Sequence, residues 1–260
     1  MQNRILQFEG VRNFRDFGGY ETADGGRVRE GQLFRSAHFA EATDADIERI
    51  RALDIAFKCD LRRPEERKAQ ACRWPSPACA TRVIASDDGG LDAAPHIAFL
   101  QRSDLTPESV RAFMRELYAE IPFDPRYVAL FRSYFADLVK SDGPALVHCA
   151  AGKDRTGILC ALTLLALDVP EEAIVEDYEL TNRAVDLENR LPEIRQRFSM
   201  YIGRDLPEAA VLPFLGVEAV YLATAMDMIA KRCGDPHAYM RDVLGLENLA
   251  RDKLRERLVE

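Results

Sequence analysis

His148-Cys149-Ala150-Ala151-Gly152-Lys153-Asp154-Arg155-Thr156-Gly157 is the stretch on which the reading of this chain turns. Before it, Ala145-Leu146-Val147 is a short apolar run of the kind that forms a buried strand. After it, Ile158-Leu159-Cys160-Ala161-Leu162 continues as an apolar helix. In a strand, tight loop, helix context the loop N–H groups and the positive end of the helix dipole act together on an anion. The pattern predicts a phosphate dianion held in the loop with the Cys149 sulfur beneath it.

A thiol there is a nucleophile only as the thiolate, a form that loop amides, a helix N-terminus and a neighbouring cation favour. Arg155 carries a planar fork that can hold two phosphoryl oxygens, a geometry lysine lacks. Thr156 places a hydroxyl near the sulfur, where it can stabilise the thiolate as it leaves a covalent intermediate. Gly152 and Gly157 allow a tight turn and a close approach. Cys149 and Arg155 are therefore the expected catalytic residues, and Ala150, Ala151, Gly152, Lys153, Thr156 and Gly157 the expected substrate-binding ones. A Walker-type nucleotide loop is excluded, because Val147 stands where its first glycine belongs and Asp154, rather than Ser or Thr, follows Lys153.

The loop resembles that of the protein tyrosine phosphatase superfamily, and its Ala-Gly-Lys-Asp-Arg-Thr-Gly form is similar to that of a bacterial tyrosine/lipid phosphatase family. Asn13-Phe14-Arg15-Asp16-Phe17-Gly18-Gly19-Tyr20 and Gly31-Gln32-Leu33-Phe34-Arg35-Ser36-Ala37 resemble that family's opening signature. Asp60-Leu61-Arg62 with Glu65-Glu66-Arg67, and Asp177-Tyr178-Glu179-Leu180-Thr181-Asn182, resemble two further blocks, so the likeness runs over nearly the whole chain. It implies an α/β fold with a central, mostly parallel sheet flanked by helices, a helical lid insertion and a helical C-terminal region. It also implies a cysteine-dependent phosphatase that hydrolyses phosphate monoesters through a phosphocysteine and needs no metal or organic cofactor. The expected substrates are phosphotyrosine and, as further classes, phosphoserine/threonine or phosphoinositides.

The departing ester oxygen needs a proton. The resemblance assigns the donor to Asp154 inside the loop; Asp87 and Asp88, which follow the predicted strand Thr81-Arg82-Val83-Ile84, and Asp60 are the alternatives. Trp74-Pro75-Ser76 has the outline of a Trp-Pro-Asp acid loop, but Ser76 is no acid and the segment lies too far ahead of Cys149. His148 is expected to orient the loop through hydrogen bonds and to favour the thiolate. Asp60 and Arg62 share one face near a strand end, where α/β sites form; they read as an ion pair steadying the loop, with Arg15 and Asp16 as further support. Cys59 and Cys160 are either partners for an oxidised Cys149 or inert core thiols. His38, His96 and His237 show no ligand spacing. Two other classes share parts of the pattern: a non-catalytic phosphate-recognition module, which would lack the nucleophile, and a thiol-based sulfur- or arsenate-transfer enzyme, which would not need the His-Cys…Arg-Thr-Gly form.

With 260 residues, 47% hydrophobic and 30% charged, the chain has the size and composition of one globular domain, 1–260, with an insertion. A net charge of −8 argues against nucleic-acid binding, so attraction for an anionic substrate must be local, from Lys153, Arg155, Arg62, Arg63 and Arg67. No signal-type hydrophobic stretch follows Met1, and the longest apolar run, 158–167, is too short to span a bilayer. No integral membrane segment and a cytoplasmic location are therefore expected, while the resemblance brings in relatives exported without a recognisable signal. The cysteines show no paired ligand spacing and fit a reducing compartment. The sequence says nothing of the oligomeric state.

Thr43-Asp44-Ala45-Asp46 predicts a capped helix start leading through Ile47, Ile50 and Leu53. A strand at 55–59, a short helix opening at Arg63-Pro64-Glu65-Glu66 and a helix over 126–139 follow. The interval 87–125 is too long for a bare connection. Thr106-Pro107-Glu108 starts a helix within it, and Val110, Phe113, Met114, Leu117 and Tyr118 recur at helical spacing. The interval reads as a helical lid or as a plain helical layer on the sheet. From Pro170 onward the chain is mostly amphipathic helix.

Overall fold

The four residues Ala145–His148 form a strand buried along its whole length, as an apolar run covered on both faces should be. The computed structural model describes residues 4–74, 81–87, 99, 104–205 and 207–260, and in it this strand is the middle one of a five-stranded sheet. The strands are β1 (Arg15–Asp16), β2 (Leu33–Ser36), β3 (Phe57–Asp60), β4 (Arg82–Ala85) and β5 (Ala145–His148), in the order β1-β2-β5-β3-β4. Only the β1–β2 pair is antiparallel. This is the mostly parallel α/β sheet that the resemblance implied. Register brings the strand ends level: Ser36 of β2 and Asp60 of β3 both stand opposite His148 of β5. The loop that follows β5 therefore opens at the carboxyl edge of the sheet, between two neighbouring strands, where α/β folds bind ligands.

Side chains alternate across the strands. Leu33, Phe57, Cys59, Ala145 and Val147 face the larger core beneath most of the helices, whereas Phe34 and Leu146 join Val11, Phe14, Phe39, Ile50 and Ile55 on the other face. That second face is covered by α1 (Asp44–Ala52), whose start is the capping box read from the sequence: Thr43 Oγ1 accepts from the Asp46 amide and the Asp46 carboxylate accepts from the Thr43 amide. Helix α2 (Pro64–Ala69) follows β3 directly. Helices α3 (Pro107–Glu120) and α4 (Pro125–Lys140) begin at Thr106 and Asp124, each a side-chain cap followed by proline at the first helical position.

Helix α5 (Asp154–Ala166) is buried without a break from Thr156 to Leu164, so it is a core helix rather than an amphipathic one. Its N-terminus is the end of the Cys149 loop. Among the described residues five longer helices follow, α6 (Glu171–Ala184), α7 (Leu187–Ile202), α8 (Glu208–Leu215), α9 (Ala219–Cys233) and α10 (Asn248–Leu258), with short helical turns at Pro236–Ala238 and Tyr239–Val243 between the last two. The described residues of the interval 87–125 include helix α3, which buries Val110, Met114 and Tyr118 and packs on α8 and α9. Asp88, His96, Pro75 and Ser76 lie outside the described residues. Among the described residues no single helix is long and apolar enough to cross a membrane.

Candidate active site

Cys149 follows β5 at the floor of the loop and is 1% exposed. What shapes the loop above it is the fate of its carbonyls. Ala150 O accepts from the His38 amide at 3.1 Å, Ala151 O from Asn13 Nδ2 at 3.1 Å, and Gly152 O from Asn13 Nδ2 at 2.8 Å and Arg35 Nη2 at 3.0 Å. In a planar trans peptide the C=O and the next N–H point in opposite directions. Tying three successive carbonyls outward therefore turns the amides of Ala151, Gly152 and Lys153 inward, and none of them donates to a protein acceptor among the described residues. Gly152 sits at φ +68, and a Cβ there would meet Ser36 O at 2.3 Å, so glycine is required on both counts. At Gly157 a Cβ would meet the Tyr178 ring at 2.9 Å.

Beneath the loop lies a buried ion cluster. Asp177 on α6 receives Arg15 Nε at 3.3 Å on one oxygen and Arg35 Nη1 at 2.6 Å on the other. Arg15 also donates to the Asp177 carbonyl, to Thr181 Oγ1 at 3.0 Å and to Asn13 Oδ1. Burial alone would raise the Asp177 carboxyl, but the two guanidiniums outweigh it and hold it below the usual carboxylate range. Burial, with Arg35 alongside, lowers the Arg15 pKa to about 10, which still leaves it charged. Two cations against one carboxylate leave a net positive charge under a loop that must hold an anion.

Arg155, on the first turn of α5, lies against α2. Its Nη1 and Nη2 donate to Glu66 Oε2 and Oε1 at 2.6 and 2.8 Å, and Nη1 also reaches Leu61 O at 3.1 Å. Although burial works against its charge, the Glu66 hydrogen bonds and the nearby Cys149 raise its pKa well above the ordinary value. Thr156 is fully buried, and its hydroxyl has no hydrogen-bond partner among the described residues.

Asp154 is the first residue of α5, at the rim. Its Oδ1 accepts from the Tyr118 hydroxyl at 2.8 Å. Lys153 Nζ donates to the carbonyls of Phe214 and Gly216 at the C-terminal end of α8, where a cation satisfies helix-end acceptors, and lies 3.5 Å from Asp154. What Lys153 offers the loop is its backbone amide.

Asp60 and Arg62 are an ion pair, with Arg62 Nε and Nη2 donating at 2.9 and 2.7 Å. Burial pushes the Asp60 carboxyl up, but His148, which is charged only at the acid pH where Asp60 titrates, and the Arg62 contacts prevail and hold it at about 2. His148, 3.6 Å from Asp60, is fully enclosed, and burial drives its pKa down to about 3. It is therefore neutral and acts on the loop by packing, edge-on against Phe39, rather than by charge. Asp16 faces elsewhere: it accepts from the Gly18 and Gly31 amides and so closes the β1–β2 connection rather than touching the loop. Asp87 is wholly exposed and pairs with Arg67 at 2.9 Å. Trp74 packs edge-on against Phe39, a structural role. Burial pushes the Cys59 thiol up and the Cys160 thiol to about 12.

Six residues that build the site were given no role by the sequence reading: Asn13, Arg35, Glu66, Tyr118, Asp177 and Tyr178. The available signal was charge inside strand-like apolar context, as in Leu33-Phe34-Arg35-Ser36, which marks a buried cation that needs a distant partner. Beside the loop, a pocket of 150 Å³ runs along Ala150, Ala151 and Lys153, with Arg12, His38 and Arg190 at its border and Val185, Leu187 and Leu215 as its apolar wall.

The model of the tyrosine phosphatase family matches residues 6–260. The chain belongs to the tyrosine phosphatase family. A Cupriavidus necator protein assigned to the tyrosine-protein phosphatases is 32% identical over 93% of this chain and 85% of its own length. The triple specificity protein phosphatase PtpB of Mycobacterium tuberculosis is 30% identical over 92% of this chain and 93% of its own. A tyrosine-protein phosphatase of Nostoc commune is 29% identical over 56% of this chain and 47% of its own. As a tyrosine phosphatase family member the chain is a phosphoric monoester hydrolase, and its substrates are phosphorylated molecules.

Proposed function

We propose that this phosphatase works by covalent catalysis, with Cys149 as nucleophile, Arg155 and the loop amides as the phosphoryl cradle, and Asp154 as general acid and then general base. The observation that carries the reading is the outward tethering of three loop carbonyls, which turns the following amides toward the space above Cys149. The thiolate attacks phosphorus in line while Arg155 and the amides hold the equatorial oxygens as charge redistributes. Asp154 gives its proton to the ester oxygen as the P–O bond breaks. The resulting carboxylate takes a proton from water, whose oxygen attacks the phosphocysteine, and the thiolate leaves, stabilised by the Thr156 hydroxyl.

Cys149→Ser tests the nucleophile: turnover should vanish with fold and phosphate affinity retained, and residual activity above a trace would overturn covalent catalysis. Asp154→Asn tests the acid: an alkyl phosphate should react about a hundredfold more slowly while a good leaving group suffers far less. Equal slowing of both would withdraw Asp154 in favour of Asp87 or Asp88.

Phosphotyrosine is the first substrate class of this reading, in keeping with the family. Arg12 and Arg190, which pair loosely with Glu41 and Glu193 at 3.9 Å each, line the pocket beside the loop together with His38 and Lys153, and these basic groups favour a second class, phosphoinositides, whose further phosphates would compete for the guanidiniums. Phosphopeptides and phosphoinositides assayed side by side decide between them. Every described cysteine is a free thiol, which suits action in the reducing cytoplasm.

A further inference from the structure

The Tyr118 ring, on α3, is wholly buried, with its centroid 6.2 Å from that of Tyr178 on α6 and 5.7 Å from that of Tyr221 on α9. From this apolar setting its hydroxyl reaches Asp154 Oδ1 at 2.8 Å and the Tyr178 hydroxyl at 2.6 Å. Each phenol has one proton to give, and an ionised carboxylate can only accept. The Tyr118 proton therefore goes to Asp154 and the Tyr178 proton to Tyr118, which gives the chain of hydrogen bonds a single direction. Burial, and after it the charge of Asp154, raises both phenols well above their ordinary pKa, so both remain donors.

The cation next to Asp154 falls on the same atom, since Lys153 Nζ lies 3.5 Å from Oδ1. Oδ2 takes no hydrogen bond among the described residues. When the carboxyl is protonated, a proton on Oδ1 would face the Tyr118 hydrogen and the Lys153 ammonium, whereas Oδ2 is clear. We propose that Tyr118, backed by Tyr178, is a positioning residue that holds Oδ1 of Asp154 and so makes Oδ2 the oxygen that delivers the proton to the departing ester oxygen and takes one from water afterwards. The phenol protons stay where they are in both steps. This rests on the assignment of Asp154 as the acid.

Around Asp154 stand Lys153 from the loop, Tyr118 from α3 and, behind it, Tyr178 from α6. Without the Tyr118 hydroxyl Oδ1 loses its donor, and a less well aimed proton slows the substrates that need it.

The test is steady-state kinetics for Tyr118→Phe, Asp154→Asn and the double variant, with para-nitrophenyl phosphate as good and an alkyl phosphate as poor leaving group. Tyr118→Phe should slow the alkyl ester about tenfold, leave the nitrophenyl ester within about twofold, and add nothing in the Asp154→Asn background. Equal slowing of both esters or additivity with Asp154→Asn would show that Tyr118 only packs. If Asp154→Asn itself shows no leaving-group dependence, the acid assignment falls and takes this proposal with it. A leaving-group-dependent Asp154→Asn beside an inert Tyr118→Phe overturns the proposal alone. Should Tyr118→Phe fail to fold, Tyr178→Phe removes the donor behind it and must show the same pattern at smaller amplitude; its absence overturns the proposal.

Discussion

Glu66 receives Arg155 fork to fork, Nη1 on Oε2 at 2.6 Å and Nη2 on Oε1 at 2.8 Å. The same Oε2 also accepts the Arg63 amide at 2.7 Å, so one carboxylate both closes the start of α2 and fixes the Arg155 guanidinium. Glu66→Gln turns one acceptor into a donor that cannot face Arg155. We expect kcat/KM to fall about tenfold to a hundredfold, the scale on which a small misplacement acts, with little change in Tm. A kcat/KM within twofold of wild type would mean that Leu61 O suffices to aim the arginine.

Asp177→Asn removes the only carboxylate seen between Arg15 and Arg35 and leaves two buried guanidiniums poorly compensated. Breaking a buried pair in this way costs about 3–5 kcal/mol. Urea unfolding measures it, with Asp24→Asn as the comparison: its pair with Arg255 is far more exposed and should change stability much less. Similar losses in both variants would show that the buried cluster contributes no more than a surface pair.

Iodoacetate should modify Cys149 first, inorganic phosphate should protect it, and chelators should leave the rate unchanged. Arg35 and Arg155 both lie within electrostatic reach of Cys149, whereas the buried Cys59 and Cys160 thiols have pKa values raised by burial and react poorly. Peptide mass spectrometry after partial labelling identifies the first site. Early carboxymethylation at Cys160 would contradict the expectation.

His148 ties stability to pH. Its folded pKa of about 3 lies below the unfolded value of about 6.5, so below pH 6.5 the unfolded chain binds a proton that the folded one excludes. Stability from this residue is complete above pH 6.5 and is lost as pH falls toward 3, by about 2 kcal/mol at pH 5. Denaturant midpoints at pH 7.5 and 5 measure the loss. His148→Asn, whatever its own stability, should flatten that difference; an unchanged pH dependence would assign it to other groups.

The strand, loop and helix around Cys149 were legible in ten neighbouring residues because their signals are local. A thiol, a turn that only glycine allows, and a helix start follow one another along the chain, and peptide geometry does the rest. Helix starts at Thr43 and Thr106 were local too, each a cap bonded within three residues, whereas the cap at Asp124, one residue before Pro125, stood outside the expected helix over 126–139. The two short strands β1 and β2 left no such mark: β1 is two residues long, and both carry a buried arginine that patterning assigns to the surface.

What only the tertiary structure decided is which distant groups complete the site. Arg35 meets Asp177 across 142 residues, Arg155 meets Glu66 across 89, and Asp154 meets Tyr118 across 36. No periodicity or spacing records these pairs, because they arise when α2, α3 and α6 pack around the carboxyl edge of the sheet. Lys153 makes the same point in reverse. As a residue in a phosphate loop it is a free positive charge; in the fold, the end of α8 arrives with unsatisfied carbonyls and the ammonium turns to them. Sequence determined the loop of the candidate site through covalent neighbours, and packing determined how each charge around it is held, since a buried charge takes whatever partner the fold brings within hydrogen-bond reach.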